Sequence, residues 1–454
     1  MRIVISYWLL IISLKNRLSS TLNSERCILN SQFSILITIL LTFSFQLSTL
    51  NSQAQPNYPH ELPYYPFIHY ASNNIQFFGD SSAFDNLYAK FDDIIFQGKG
   101  KVNMVHIGGS HIQADIWSER MRERLQKFST GNNGGRGFIF PYKIAKTNNP
   151  YNYIASYDGD WEFCKNTLRD RNCNLGLSGI AVTTFDTTSH INISFREEVG
   201  GIPYAKYDVK KVKVFHDFDS TQFEVKLFND SQAVATHYDS LGYTEFVLSN
   251  PINKIELEIY RTDTNQTSFT LYGITLETED PGFVYNAIGV NGASTSSYLK
   301  CKQLAQHISV LQPDLVVFSI GINDAYDTDF NEKLYFKNYS RLIDEIKELC
   351  PNVHFLLTTN NDSYYKRRWP NKNAYQVREQ MQKLSEKYNT GVWDMFEVMG
   401  GLGSVNDWID NGLAKKDKIH LTREGYNLMG DLMFSALIKS YDDYLKKTNS
   451  EPID

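Results

Sequence analysis

The chain has 454 residues, of which 42% are hydrophobic and 21% charged, with 27 Gly, 13 Pro and a formal net charge of −6. Those proportions exclude a collagenous or mostly disordered chain, and the length allows about three domains. No basic block or nucleic-acid motif occurs, which argues against a DNA or RNA partner. The 28 Tyr and 28 Phe suit core packing and also stacking on sugars.

Two apolar runs open the chain, Ile3 to Leu14 and Phe33 to Leu47. Neither reaches the roughly 20 residues of a spanning helix. Small residues at Ser52 and Ala54 make an A-x-A-like cleavage site behind the second run. Residues 1–54 therefore read as a leader, with a mature chain from about Gln55 exported to the periplasm or cell surface. The alternative is an uncleaved anchor, the only route to membrane association considered. Cys164, Cys173, Cys301 and Cys350 remain after the leader. Four cysteines allow three pairings and sequence does not choose among them, although Cys164 and Cys173 are near enough for a local disulfide. No C-x-x-C pair or H-E-x-x-H occurs, so nothing here asks for zinc.

Val102 to Gly108 reads as a short buried strand, followed after a tight turn by a helix from Trp117 to Phe128 with Trp117, Met121, Leu125 and Phe128 at helical spacing. A Gly-rich stretch, Gly131 to Gly137, follows. From 150 to 280 the texture changes to short alternating runs separated by turn residues: 180–185, 191–195, 212–215, 223–228, 244–248, 254–260 and 268–272. That spacing predicts an antiparallel sandwich or jelly roll. After 281 strands and helices alternate again. Strands are expected at 284–290, 313–321, 353–359 and 392–396, and helices at 332–349, 373–388 and 422–446, the last with Thr422 as N-cap. This rhythm predicts an α/β domain with a mainly parallel sheet covered on both faces. The expected organisation is a first α/β part over 55–149, an inserted β-domain over 150–280, a second α/β part over 281–447, and a tail at 448–454.

Four patterns fall at predicted strand ends, where open parallel sheets build their sites. Gly108-Gly109-Ser110-His111 places a serine hydroxyl at a strand-to-helix junction. In Gly289-Val-Asn-Gly292, the last glycine leaves its backbone N–H unobstructed. Gly321-Ile-Asn323-Asp324 offers an amide donor for a developing oxyanion. Asp417-Lys-Ile-His420 sets a carboxylate against one imidazole nitrogen, leaving the other to take a serine proton.

These four blocks, in this order, resemble those of the SGNH/GDSL hydrolase superfamily over about 102–137 and 284–440. The most specific is Asp417-x-x-His420-x-Thr-x-x-Gly425-Tyr426. The resemblance implies a three-layer α/β/α hydrolase domain. Its nucleophile would be Ser110, its general base His420 and its orienting carboxylate Asp417, with an oxyanion hole of Ser110 N–H, Gly292 N–H and the Asn323 side chain. The family usually has Asp where this chain has Gly109. The Ser110-His-Ile-Gln start, the stretch Gly134 to Pro141 and the β-domain between the first and second blocks narrow the resemblance to bacterial peptidoglycan O-acetylesterases, whose inserted sandwich resembles a carbohydrate-binding module. The function implied is removal of O-acetyl groups from an envelope polysaccharide, with peptidoglycan the polymer the resemblance implies, without metal or cofactor. Two alternatives share the sequence: an acyltransferase with the same triad, and a non-catalytic glycan-binding protein, for which Gly109 is the relevant feature.

Each residue also has a structural reading. Ser110 suits a helix N-cap, Asn323-Asp324 and Gly292 suit turns, and His420 suits a cap. His106 is expected in the core, and His111 in a structural or substrate-lining role. Arg367 and Arg368, beside Tyr364, Tyr365 and Trp369, are expected on a solvated loop, with an anionic glycan as the alternative. Ser178, in Gly176-Leu-Ser-Gly-Ile180, falls in the β-region, so it is not read as a lipase elbow.

Overall fold

Strand Lys101–Gly108 is buried at six of its eight positions, which is the pattern of a parallel strand covered on both faces. In the computed structural model it is an interior strand of a seven-stranded sheet, next to the central strand. The structure describes residues 60–129, 131–169, 173–199, 202–326 and 328–450. The predicted leader and its cleavage site lie outside them, as do the last four residues.

The sheet strands, in chain order, are β1 (Ile75–Phe77), β2 (Lys101–Gly108), β3 (Asn133–Gly135), β4 (Gly282–Gly289), β5 (Leu315–Ser319), β6 (His354–Thr358) and β7 (Gly391–Trp393). Their spatial order is β1-β7-β6-β5-β2-β4-β3. Every neighbouring pair is parallel except β1 with β7. Alternate residues feed two cores, as a side-chain period of two requires. Met104, Leu315 and Val317 join the cluster that includes Leu87 and Phe91, Trp117 and Met121, and Met429 and Leu432, from helices Asp85–Gln97, Trp117–Gln126 and Arg423–Ser450. Val105, Ile107, Val316 and Phe318 join the other, with Ile308, Ile343 and Met381 from helices Leu304–Val310, Glu332–Leu349 and Asn373–Tyr388. This is a three-layer α/β/α fold. The final helix runs to Ser450, into the stretch predicted as a tail.

The alternating runs between the two α/β parts form antiparallel sheets. One includes, in order, Val234–Tyr238, Tyr243–Ile252, Val209–His216, Phe269–Glu277, Ile180–Thr184 and Trp161–Lys165. A second has Glu224–Leu227, Lys254–Tyr260, Thr188–Phe195 and Tyr153–Tyr157. Alternate residues such as Ile191, Ile193, Val212, Val214 and Leu257 are buried in the same cluster that covers one face of the parallel sheet. Strand Gly137–Ile139 pairs with Phe269–Glu277, so antiparallel pairing starts ahead of the predicted boundary at 150. Strand Val234–Tyr238 was not anticipated because it is exposed throughout and has no apolar alternation to reveal it. A disulfide joins Cys164 and Cys173. No helix of the described residues is long and apolar enough to cross a membrane.

A buried ionic cluster ties the first α/β part to the start of the β-region. Asp115 accepts from Arg136 at 2.6 Å, Arg122 at 3.3 Å, Ser118 at 2.6 Å and Asn152 at 2.8 Å. Both guanidinium groups are almost wholly shielded from solvent. Burial alone would raise the Asp115 carboxyl, but Arg122 and Arg136 outweigh it and hold it below its ordinary value. The associated stability is therefore complete above the ordinary carboxyl range and is lost as pH falls through the depressed native value. Asp115→Ala leaves the buried Arg136 without a carboxylate, while Arg122 keeps Glu119, and urea denaturation is expected to show a loss of about 3–5 kcal/mol.

Candidate active site

Strand register gathers the site. Gly289 of β4 and Ser319 of β5 both lie level with Gly108 of β2, so three adjacent parallel strands end in line. The short helix Ser110–Gln113 sits directly on these ends. A Cβ at Gly108 would collide with Ile112, and one at Gly289 with the backbone of Gln113. Glycine at both positions is what lets that helix approach. Tyr298 donates to Gly108 O at 2.7 Å and Tyr142 to Gly289 O at 3.1 Å, fixing the same ends.

Ser110 opens this helix, with Gly109 in the N-cap position, so its hydroxyl is not spent on capping. Ser110 Oγ lies 2.8 Å from His420 Nε2. His420 Nδ1 lies 2.9 Å from Asp417 Oδ2. The three side chains thus form one hydrogen-bonded series, with His420 32% and Asp417 28% exposed. The other carboxylate oxygen, Asp417 Oδ1, accepts from the N–H groups of Ile419 and His420, each at 3.0 Å. Burial works against ionisation of Asp417, but these donors and the imidazole keep its carboxyl below its ordinary value.

Thr422 anchors the loop carrying this pair. Its hydroxyl accepts from Gly425 N–H at 3.2 Å, capping the final helix, and donates to Gly412 O at 2.8 Å. Gly425 packs so tightly that a Cβ would overlap the Leu413 carbonyl. Tyr426 OH lies 2.8 Å from His111 Nδ1, and the His111 ring lies 5.3 Å from that of His420. Burial, then the neighbouring His420, pushes the His111 imidazole down to about 3, so it stays neutral beside the ring that would accept a proton.

Asn323 follows β5 within the short helix Ile322–Ala325 and donates from Nδ2 to Ala293 O at 2.8 Å. That bond links the loop after β5 to the loop after β4, which carries Gly292. Gly292 is exposed and has φ +81°, a left-handed conformation that favours glycine. At Gly109 a Cβ would stand 3.2 Å from Asn323 Nδ2, so the backbone beside Ser110 lies against this amide. Gly109 O accepts from Ile112 at 3.2 Å and Gln113 at 3.0 Å, which pins the turn although Gly109 carries no side chain.

Neighbouring residues support the site. Asp324 accepts from the Thr295 hydroxyl at 2.6 Å and from Thr295 N–H, bracing the two loops from beneath. Burial raises its carboxyl above the ordinary value. His106 is buried in β2 between Tyr285 OH and Ser319 Oγ, each at 2.7 Å, and burial lowers it to about 3. It is a core residue. Among the described residues, no group of His, Cys, Asp or Glu is placed to hold a metal ion. Gly425→Ala is expected to cost about 1–3 kcal/mol by overpacking, read as a lowered urea midpoint.

Comparison with known proteins agrees with this geometry. Residues 262–428 match the GDSL-like Lipase/Acylhydrolase family, a stretch that holds Gly292, Asn323, Asp417 and His420 but not Ser110. No curated protein matches the chain. Among solved structures, a peptidoglycan O-acetylesterase superposes with a TM-score of 0.63 at 19% identity, covering 81% of this chain and 99% of its own. An acetyl xylan esterase, AlAXEase, gives a TM-score of 0.28 at 20% identity over 35% of this chain and 81% of its own. A lipase/acylhydrolase from Enterococcus faecalis gives 0.28 at 26% identity over 34% and 75%. Residues 262–428 thus match the GDSL-like lipase/acylhydrolase family, and the chain has the SGNH-hydrolase fold of that O-acetylesterase structure.

Proposed function

We propose that the protein is an exported serine esterase that removes O-acetyl groups from an envelope carbohydrate, with peptidoglycan as the polymer. The observation that carries this reading is the unbroken series from Ser110 Oγ through His420 to Asp417, with separations of 2.8 and 2.9 Å. His420 Nε2 takes the Ser110 proton as Oγ attacks the ester carbonyl carbon. The carbonyl oxygen gains charge, which the N–H groups of Ser110 and Gly292 and the Asn323 amide stabilise. The carbon–oxygen bond to the sugar then breaks, and the sugar oxygen leaves with the proton from His420. Water, deprotonated by His420, attacks the acetyl-Ser110 ester and releases acetate. Asp417 holds the imidazole in the tautomer that leaves Nε2 free to accept, and stabilises the imidazolium.

The disulfide Cys164–Cys173 supports an oxidising, extracytoplasmic setting. The similarity to a peptidoglycan O-acetylesterase over most of both chains supports the polymer. The pinned turn at Gly109 favours a working nucleophile over a purely glycan-binding role. The acyltransferase alternative differs only in the acceptor, a sugar hydroxyl in place of water.

Ser110→Ala is expected to abolish acetate release from O-acetylated peptidoglycan and labelling by a fluorophosphonate. Undiminished turnover in that variant would overturn the assignment. Asn323→Ala is expected to lower kcat by about 10²–10³ with little change in KM, since the amide would act on charge formed in the transition state.

A further inference from the structure

One surface beside the triad takes no part in the chemistry above. Strands Tyr364–Tyr365 and Trp369–Pro370 form a small hairpin, with Lys366, Arg367 and Arg368 at its tip. Its base is fastened to the two loops that carry the site residues. Tyr364 N–H donates to Lys418 O at 3.1 Å, next to Asp417. Asn371 and Asn373 donate to Ala325 O at 3.1 and 2.9 Å, two residues beyond Asn323. Lys366 N–H donates to Tyr326 OH at 3.0 Å. The hairpin therefore stands on the rim of the Ser110 site.

Nothing in the fold accounts for its tip. Trp369 is 54% exposed, although so large an apolar surface normally seeks cover. The ring of Tyr365 lies 6.4 Å from that of Trp369 and 5.2 Å from that of Tyr326, which extends an aromatic strip toward the Asn323 loop. Lys366 and Arg367 adopt φ values of +49° and +60°, unfavourable for side-chain-bearing residues. Left-handed residues are what a tight hairpin turn uses, so the turn holds the three cations at its tip. Lys366, Arg367 and Arg368 are exposed, as are Lys415 and Lys416 on the Asp417 loop. Among the described residues, no ion pair engages any of these five cations. The chain as a whole carries a net charge of −6, so this is a local reversal of sign.

We propose that this hairpin, with the Lys415–Lys416 edge, is a subsite for a carboxylate-bearing glycan strand. Trp369 stacks on a sugar face, while Arg367 and Arg368 hold carboxylates such as those of peptidoglycan stem peptides. The proposal deepens the esterase reading by making the enzyme selective for acidic over neutral acetylated polymers. Planar guanidinium groups match carboxylates in two parallel hydrogen bonds, and long-range attraction would hold the polymer against an otherwise acidic protein.

The test combines turnover with binding. Arg367→Ser/Arg368→Ser is expected to keep its rate on p-nitrophenyl acetate while KM for O-acetylated peptidoglycan rises roughly tenfold. Its KM for acetylated xylan stays unchanged. The difference from wild type should vanish near about 1 M salt, where the screening length is ~3 Å. Trp369→Ala should weaken both polymers. Sedimentation with insoluble peptidoglycan, using Ser110→Ala with and without the two arginines, reads the subsite independently of catalysis. Loss of sedimentation with the arginines supports the subsite. Unchanged sedimentation, or equal losses on neutral xylan, overturns it. If Ser110→Ala leaves turnover intact, the esterase reading falls while the sedimentation result still decides the subsite.

Discussion

The level ending of three parallel strands governs the rest of this structure. Because Gly108, Gly289 and Ser319 share one register line, the segments leaving β2, β4 and β5 emerge side by side. Ser110, Gly292 and Asn323 follow those ends within a few residues. Register in a sheet buried on both faces is strongly specified, since a one-residue slip would exchange the two cores. The site thus inherits its precision from burial of residues such as Val105, Ile107, Val316 and Phe318.

Buried polar groups then lock that register in place. Tyr285, His106, Ser319 and Thr358 hydrogen-bond in sequence across β4, β2, β5 and β6. A histidine kept neutral by burial can donate through one nitrogen and accept through the other, which suits such a rung. Thr295 with Asp324, and Asn323 with Ala293 O, do the same for the loops above. These groups position the site without needing to touch substrate.

The β-region is joined to this framework by core packing and by charge. Its apolar residues share a cluster with one face of the parallel sheet, and Asp115 draws Arg136 and Asn152 against the helix that follows Ser110. The site rim itself is built from the loops after β2, β4 and β5 and from the Asp417 loop. The cationic hairpin at 364–370 adds a charged edge on that rim. Under the proposed esterase reading, substrate selection would reside in charge and stacking at the hairpin and bond cleavage in the Ser110–His420–Asp417 series.

Sequence alone determined the element order and the two textures, because period-two and period-3.6 burial patterns are local properties of a chain. The first three blocks were legible for the same reason, each being a short run at the end of a buried strand, whereas Asp417–His420 follows the helix Val405–Asp410. Local chemistry also made the Asp417–His420 pairing readable, since an Asp that accepts from backbone two and three residues on is a feature of one turn. Only the tertiary structure decided that Ser110 meets His420 across 310 positions of chain. Long-range contact depends on strand order and register, which no window of sequence contains. For the same reason the exposed strand Val234–Tyr238 and the Thr295–Asp324 contact left no readable sign, and Arg367 and Arg368 were legible as an aromatic-flanked pair but not as neighbours of the site. Their meaning lies in what they stand next to.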